Sequence, residues 1–251
     1  MCRSLVGYYM MRRPPGATLF PYTPLCRASH TEEGGRAAGF DAALVAGVTV
    51  YAYVTRPIVE AWGPGWLAEG GATVEFLAPV QAGDPVDCVP AAPTETGSVE
   101  VMALVGGGAR VRCTAWPGPP DWTDRGRPLH EQLEPHEEPL TGGWADYGLR
   151  AGDDLGLYAE DGIVHPAVWP ALANGVMTRH LVDGAWIHTR SRIRHHGIAH
   201  VGATATVQAT VVDRFDTRSG RRAVLDVAIS VDGALVATIE HEAIVALHPT
   251  G

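Results

Sequence analysis

Apolar positions along this chain fall into two runs of the same kind. Phe40 to Val54 (FDAALVAGVTVYAYV) is apolar but for Asp41, and segments with strand-like alternation follow it: VEFLAPV, VEVMALV and ARVRCTAW. The second half repeats the order. HPAVWPALANGVMTRHL precedes WIHTRSRIRHH, ATATVQATVV, AVLDVAISV and LVATIEHEAIV. A long apolar stretch predicts a buried helix, and a period of two predicts strands with one face in a core. Even the closing hairpins correspond: Val99 to Trp116 turns at Gly106-Gly107-Gly108, and Val224 to Ile244 turns at Asp232-Gly233. The pattern predicts a fused pseudo-dimer of helix-plus-sheet units, with a site at the seam.

Local signals mark the element ends. Thr31 is placed to cap a short helix, TEEGGRAAG, with Glu32 and Glu33 in its first turn and Gly39 at its end. Pro57 is placed to kink or shorten the main helix of the first half, and Gly63-Pro64 marks its exit. Gly83-Asp84 makes a turn inside PVQAGDPV. In the second half Pro166 suits the first helical turn, and Asp183-Gly184 closes the helix. Between the halves the texture becomes rich in proline, glycine and acid. The expected division is a first unit over 1–120, a linker over 121–150 and a second unit over 151–251.

Composition narrows the function. The chain has 251 residues, 46% of them hydrophobic and 19% charged, enough apolar material for a real core. A net charge of −9 argues against nucleic acid or an anionic membrane as partner. Cys2, Cys26, Cys88 and Cys113 stand singly, which suits neither a disulfide framework nor a zinc site and points to a reducing cytoplasm. The N-terminus is a poor signal peptide, and the 40–54 run is shorter than the ~20 residues that span a bilayer. No GxGxxG, P-loop or GxSxG motif occurs, so nucleotide and hydrolase-elbow chemistry have no support.

The string HTEEGGRAAGF-DAALVAGVTVYAYVTRP, followed by VEFLAPVQAGDPV, resembles the hot-dog fold of MaoC-like acyl-CoA dehydratases and hydratases. His30, Gly39, Phe40, Val45, Gly47, Pro79, Gly83 and Asp84 fit the family's places, and the second half is similar to a further hot-dog unit. The resemblance implies an α+β double hot-dog, with two central helices each wrapped by an antiparallel β-sheet. It implies a protein acting on 2-enoyl or 3-hydroxyacyl thioesters of coenzyme A or a carrier protein. The thioester is then the substrate, and no separate cofactor or metal is expected. A homodimer of double hot-dogs fits the same architecture. The family's chemistry uses an Asp and a His in a D-x-N-P-x-H loop, with backbone N–H groups at the helix start holding the thioester oxygen. In the first half, alignment on PYTPLC puts Pro21 and Cys26 at those two places, and alignment on Gly39-Phe40 puts Leu25 and His30 there. Neither gives an intact dyad. Two alternatives therefore stand beside the hydratase: a non-catalytic acyl-binding or partner subunit, and a thioesterase. The thioesterase needs an acid on the helix, and past Asp41 at its start the first-half helix offers no internal Asp or Glu before Glu60.

The resemblance makes His30 the candidate proton-transfer residue, against a loop histidine touching backbone. Gly47 and Val48 are the candidates for orienting the thioester, against close helix–sheet packing at the glycine. His165 occupies the equivalent edge of the second half and either joins the site or is a helix-end neighbour. Asn174, before a mid-helix Gly175 that costs roughly 1 kcal/mol relative to alanine, marks close approach of a ligand or of another backbone. Strict alternation over 186–196 places His188, Arg190, Arg192 and Arg194 on one face, with Ser191 and His195 on the other. Arg190 and Arg192 would then grip coenzyme A phosphates or form a solvated charged face. His195, His196 and His200 cluster without the acids or thiolates of a zinc site. His241 and Glu240 alternate in a strand, so at most one faces the seam.

Overall fold

A computed structural model describes residues 9–11, 30–37, 40–119, 131–182 and 184–248. Pro21, Leu25, Cys2, Cys26, Gly39 and Asp183 lie outside the described residues. The first half runs β1 (Tyr9–Met11), α1 (Glu32–Ala37), α2 (Gly47–Trp62), α3 (Pro64–Glu69), β2 (Gly71–Phe76), β3 (Val86–Pro90), β4 (Val99–Val105) and β5 (Gly108–Trp116). The second runs β6 (Glu131–Gln132), β7 (His136–Pro139), a single 3-10 turn at 142–144, α4 (Tyr147–Arg150), α5 (Gly156–Ala159), α6 (Val168–His180), β8 (Ile187–His195), β9 (Thr204–Thr217), β10 (Gly220–Val231) and β11 (Ala234–Leu247).

All described strands form one sheet in the order β1-β3-β4-β5-β2-β8-β11-β10-β9-β6, with β7 also on β9. Neighbouring strands pair antiparallel throughout. The order is a palindrome about the β2–β8 pair: helix, inner strand and three-strand meander in each half, meeting at the inner strands. The seam register sets Gly71 opposite Arg194, Thr73 opposite Arg192 and Glu75 opposite Arg190. Both strand edges that the separate halves would expose are thus paired. Each closing hairpin has a two-residue turn with positive φ at both positions, Gly106-Gly107 (56° and 80°) and Asp232-Gly233 (51° and 78°). That geometry suits the right-handed twist of the flanking strands.

One face of the sheet wraps α2 and α6. Val50, Tyr51, Ala52, Val54 and Ile58 of α2 are buried, as are Val168, Ala171, Leu172 and Met177 of α6. Two expectations change here. Residues 40–46 are not helical: after a bend at Asp41-Ala42 the chain runs extended, with Val45 N–H donating to Val80 O (2.8 Å) and Ala82 N–H to Ala43 O (2.7 Å). Apolar composition fits a buried extended segment as well as a helix, and the 80–84 turn supplies its partner. The helix also continues through Pro57 to Trp62, because the sheet's apolar surface holds that stretch in place; Gly63, at φ 67°, ends it. In the expected linker, residues 131–140 dock on the edge strand β9, which gives their backbone groups partners.

Cys88 and Cys113 are free and buried, and burial pushes the Cys88 thiol up to about 12 and Cys113 in the same direction, so neither is a nucleophile. No described helix is long and apolar enough to cross a membrane.

Candidate functional site

The start of α2 carries three of the expected residues. His30 Nδ1 lies 2.8 Å from the carbonyl oxygen of Leu44, so the loop before α1 is fastened to the segment leading into the helix. No described backbone carbonyl accepts from the Gly47 or Val48 N–H, as expected for the first amides of a helix. Val48 is itself buried. Gly47 is pressed by Phe76 of β2: a Cβ built there would lie 2.9 Å from the ring, so close helix–sheet packing explains the glycine.

Across the seam, β8 departs from strict alternation. Its register on β11 slips between Glu242 and Ala243, so that Arg190 faces Glu242 but His188 faces Ala243. This bulge at Thr189 moves His188 onto the core face with Ser191, correcting the expected grouping with the arginines. His188 Nε2 is then 2.8 Å from Ser191 Oγ, and Ser191 Oγ is 2.9 Å from Nδ1 of His241, its cross-strand partner. All three side chains are buried. The two imidazoles lie 4.2 Å apart by ring centroids, and Phe76 covers His188 at 4.4 Å. Burial, and for His188 also the neighbouring His241, push both rings toward the neutral form, with His241 lowered to about 3.

On the opposite face, Arg190 binds Glu240 (2.9 Å) and Glu242 (3.2 Å), while Arg192 approaches Glu240 (3.7 Å) and Arg222 joins Glu242. The arginine stripe is matched by carboxylates of the next strand, and a coenzyme A phosphate there would have to displace them. Glu240 and His241 face opposite sides, with His241 in the core.

The second-half site forms before α6. His165 Nε2 is 3.3 Å from Asp153 Oδ2, and both side chains are almost wholly buried. His165 Nδ1 accepts from the Ala167 N–H (3.1 Å), so the Nε2–H is the one that donates to Asp153. The other carboxylate oxygen accepts from the Leu155 N–H (3.3 Å) and from Arg56 of α2 (3.5 Å). Arg56 also binds Asp154 (2.6 Å), holding that carboxyl below the usual range, and binds Glu60 (3.1 Å) on its own helix. Carboxylates of the second half are therefore clamped by a guanidinium of the first. Tyr147 and Tyr158 pack on the His165 ring at 5.7 and 4.6 Å, and Tyr147 reaches Thr49 of α2. Gly148 makes the packing possible, since a Cβ there would stand 2.9 Å from His165 Cδ2. The Tyr158 and Tyr51 hydroxyls are buried without a partner among the described residues, and burial raises both phenols well above their ordinary range.

Sequence reasoning singled out His165 but missed Asp153 and Tyr158. The signal was present: applied to the second half, the D-x-N-P-x-H spacing that begins at Asp153 ends at Tyr158. Asn174 on α6 has a buried Oδ1 without a partner among the described residues, while its carbonyl accepts from Thr178. His195 packs on Trp66 (4.9 Å), His196 contacts Thr238 (2.9 Å) and His200 contacts the Asp161 carbonyl (3.3 Å), so the three turn to different neighbours. The described residues contain no cluster of three or more metal-ligating groups.

No family profile and no curated protein matches the chain in sequence. Solved structures do resemble it. One is a conserved hypothetical protein of Mycobacterium tuberculosis, described as essential for bacterial survival during infection and as a double hot-dog (TM-score 0.58, 11% identity, 89% of this chain and 86% of that one). Another is a MaoC-like dehydratase (TM-score 0.58, 15% identity, 97% and 99%). A third, from Lactobacillus plantarum, is assigned as an oleoyl thioesterase (TM-score 0.56, 10% identity, 97% and 96%). At such identities the likeness is one of fold, and with the palindromic sheet around two central helices it establishes that this chain is a double hot-dog.

Proposed function

We propose that the protein acts on an acyl thioester, adding water reversibly to a 2-enoyl group carried on coenzyme A or a carrier protein in the cytoplasm. The observation that carries this reading is the Asp153 carboxylate, oriented by His165, Arg56 and the Leu155 amide at the junction of the halves, with the unpartnered Tyr158 hydroxyl at the end of the hydratase-loop spacing. Asp153 takes a proton from water as its oxygen bonds to C3, and later returns that proton to C2. Tyr158 stays protonated and donates a hydrogen bond to the thioester oxygen as negative charge grows there. His165 has both ring nitrogens engaged and is a positioning residue.

That same engagement, together with the depth of Asp153, favours a second reading: an acyl-binding subunit without turnover. Crotonyl-CoA assayed for loss of enoyl absorbance and for release of thiol separates the readings. Loss of absorbance without thiol, abolished in Asp153→Asn, supports hydration. Thiol release identifies a thioesterase. Binding by calorimetry with neither change identifies the binding subunit, and no binding at all sinks the thioester reading.

A further inference from the structure

The His188–Ser191–His241 cluster plays no part in that chemistry, yet its construction is specific. Three buried polar side chains are joined by two short contacts; the Arg190 backbone also lies near the His188 ring, and the outer nitrogens, His188 Nδ1 and His241 Nε2, make no hydrogen bond of good geometry among the described residues. Leaving such atoms unpaired in a core costs about 1–3 kcal/mol each, so packing alone is a poor reason for two of them. The sheet is also distorted to build the cluster, since only the bulge at Thr189 brings His188 onto the face of Ser191. The cluster borders the seam: its residues belong to β8 and β11, and Ser191 also pairs across the seam with Val74 of β2.

A hydroxyl between two neutral imidazoles admits two proton arrangements. Ser191 donates to one ring nitrogen and accepts an N–H from the other ring. In the first arrangement His241 Nε2 is a bare lone pair and His188 Nδ1 carries a proton; in the second the roles are exchanged. We propose that His188, Ser191 and His241 form a neutral proton relay serving a water molecule or substrate hydroxyl at the seam beneath Phe76. A proton enters at His241 Nε2, the His241 Nδ1 proton passes to Ser191 Oγ, the Ser191 proton passes to His188 Nε2, and the His188 Nδ1 proton leaves. One proton goes in and one comes out. No ring becomes charged in the core, where an imidazolium is strongly disfavoured. Phe76, tilted over His188 and pressed against Gly47, is the side chain that must move for a ligand to reach the relay from the start of α2.

The test is nitrogen-15 imidazole NMR on the full chain, with wild type, Ser191→Ala and Ser191→Thr compared, alongside crotonyl-CoA turnover. The relay predicts that His188 and His241 give shifts averaged between protonated and bare nitrogen. It predicts that Ser191→Ala abolishes the averaging and that Ser191→Thr keeps it. A single fixed tautomer for each ring in wild type, as a purely structural network would give, overturns the relay. Averaged rings in a protein that neither binds nor turns over a thioester would uphold the relay and remove the thioester reading instead.

Discussion

At the scale of the residue, the histidines carry the most distinctive prediction. His188, His195 and His241 are buried and held toward the neutral form, His195 and His241 down to about 3. An unfolded chain takes up these protons near pH 6.5, and the folded one does not until far lower. Between those values the unfolded state binds more protons, so stability falls as pH falls through the window and is unaffected above it. The slope is about 1.4 kcal/mol per pH unit for each histidine. Denaturant midpoints should therefore drop steadily from pH 7 to pH 5; an unchanged midpoint would contradict the buried neutral rings. His195 has both ring nitrogens without a partner among the described residues and packs on Trp66, so His195→Phe should flatten part of the slope while keeping the fold. Around His165, Asp153→Ala removes an acceptor shared by several donors and should cost about 1–3 kcal/mol. Gly148→Ala drives a methyl into His165 and should cost a similar ~1–3 kcal/mol by overpacking, read as a lowered Tm.

At the scale of the element, the closing hairpins were legible because their signals are local. Gly106-Gly107 and Asp232-Gly233 demand positive φ, and strands that alternate around them pair with each other. The start of α2 was not legible. Residues 40–46 are as apolar as a helix, and only the distant turn at Gln81 to Asp84 holds them out of one. The Thr189 bulge left no mark either: it is set by how β8 meets β11, which alternation along one strand does not contain. For the same reason Arg190 and Arg192 read as free cations, when their carboxylate partners stand about fifty residues later. His165 was visible as a helix-edge histidine, and Asp153 was hidden by looking for the dyad in the first half alone. At this scale Gly47→Ala should force the Phe76 ring aside and lower the denaturant midpoint, with Phe76→Leu in the same chain recovering part of the loss. Equal midpoints for Gly47→Ala and wild type would contradict the close packing.

At the scale of the whole molecule, the halves are bound to each other through the β2–β8 pairing and through Arg56 reaching Asp153 and Asp154, among other contacts. Either half alone would expose an inner strand edge and lose one side of that clamp. The sequence repeat announces this fusion, since two helix-plus-sheet units in one chain bury their inner edges only against each other. Function then depends on where the thioester sits. The central measurement is a structure of the protein with a non-reactive crotonyl-CoA analogue bound. The account predicts the thioester between α2 and the α5–α6 segment, its oxygen within hydrogen-bond reach of Tyr158 and its C3 at about 3–3.5 Å from a water held by Asp153. An acyl group lodged instead at His30 and the start of α2, away from Asp153 and Tyr158, would contradict it.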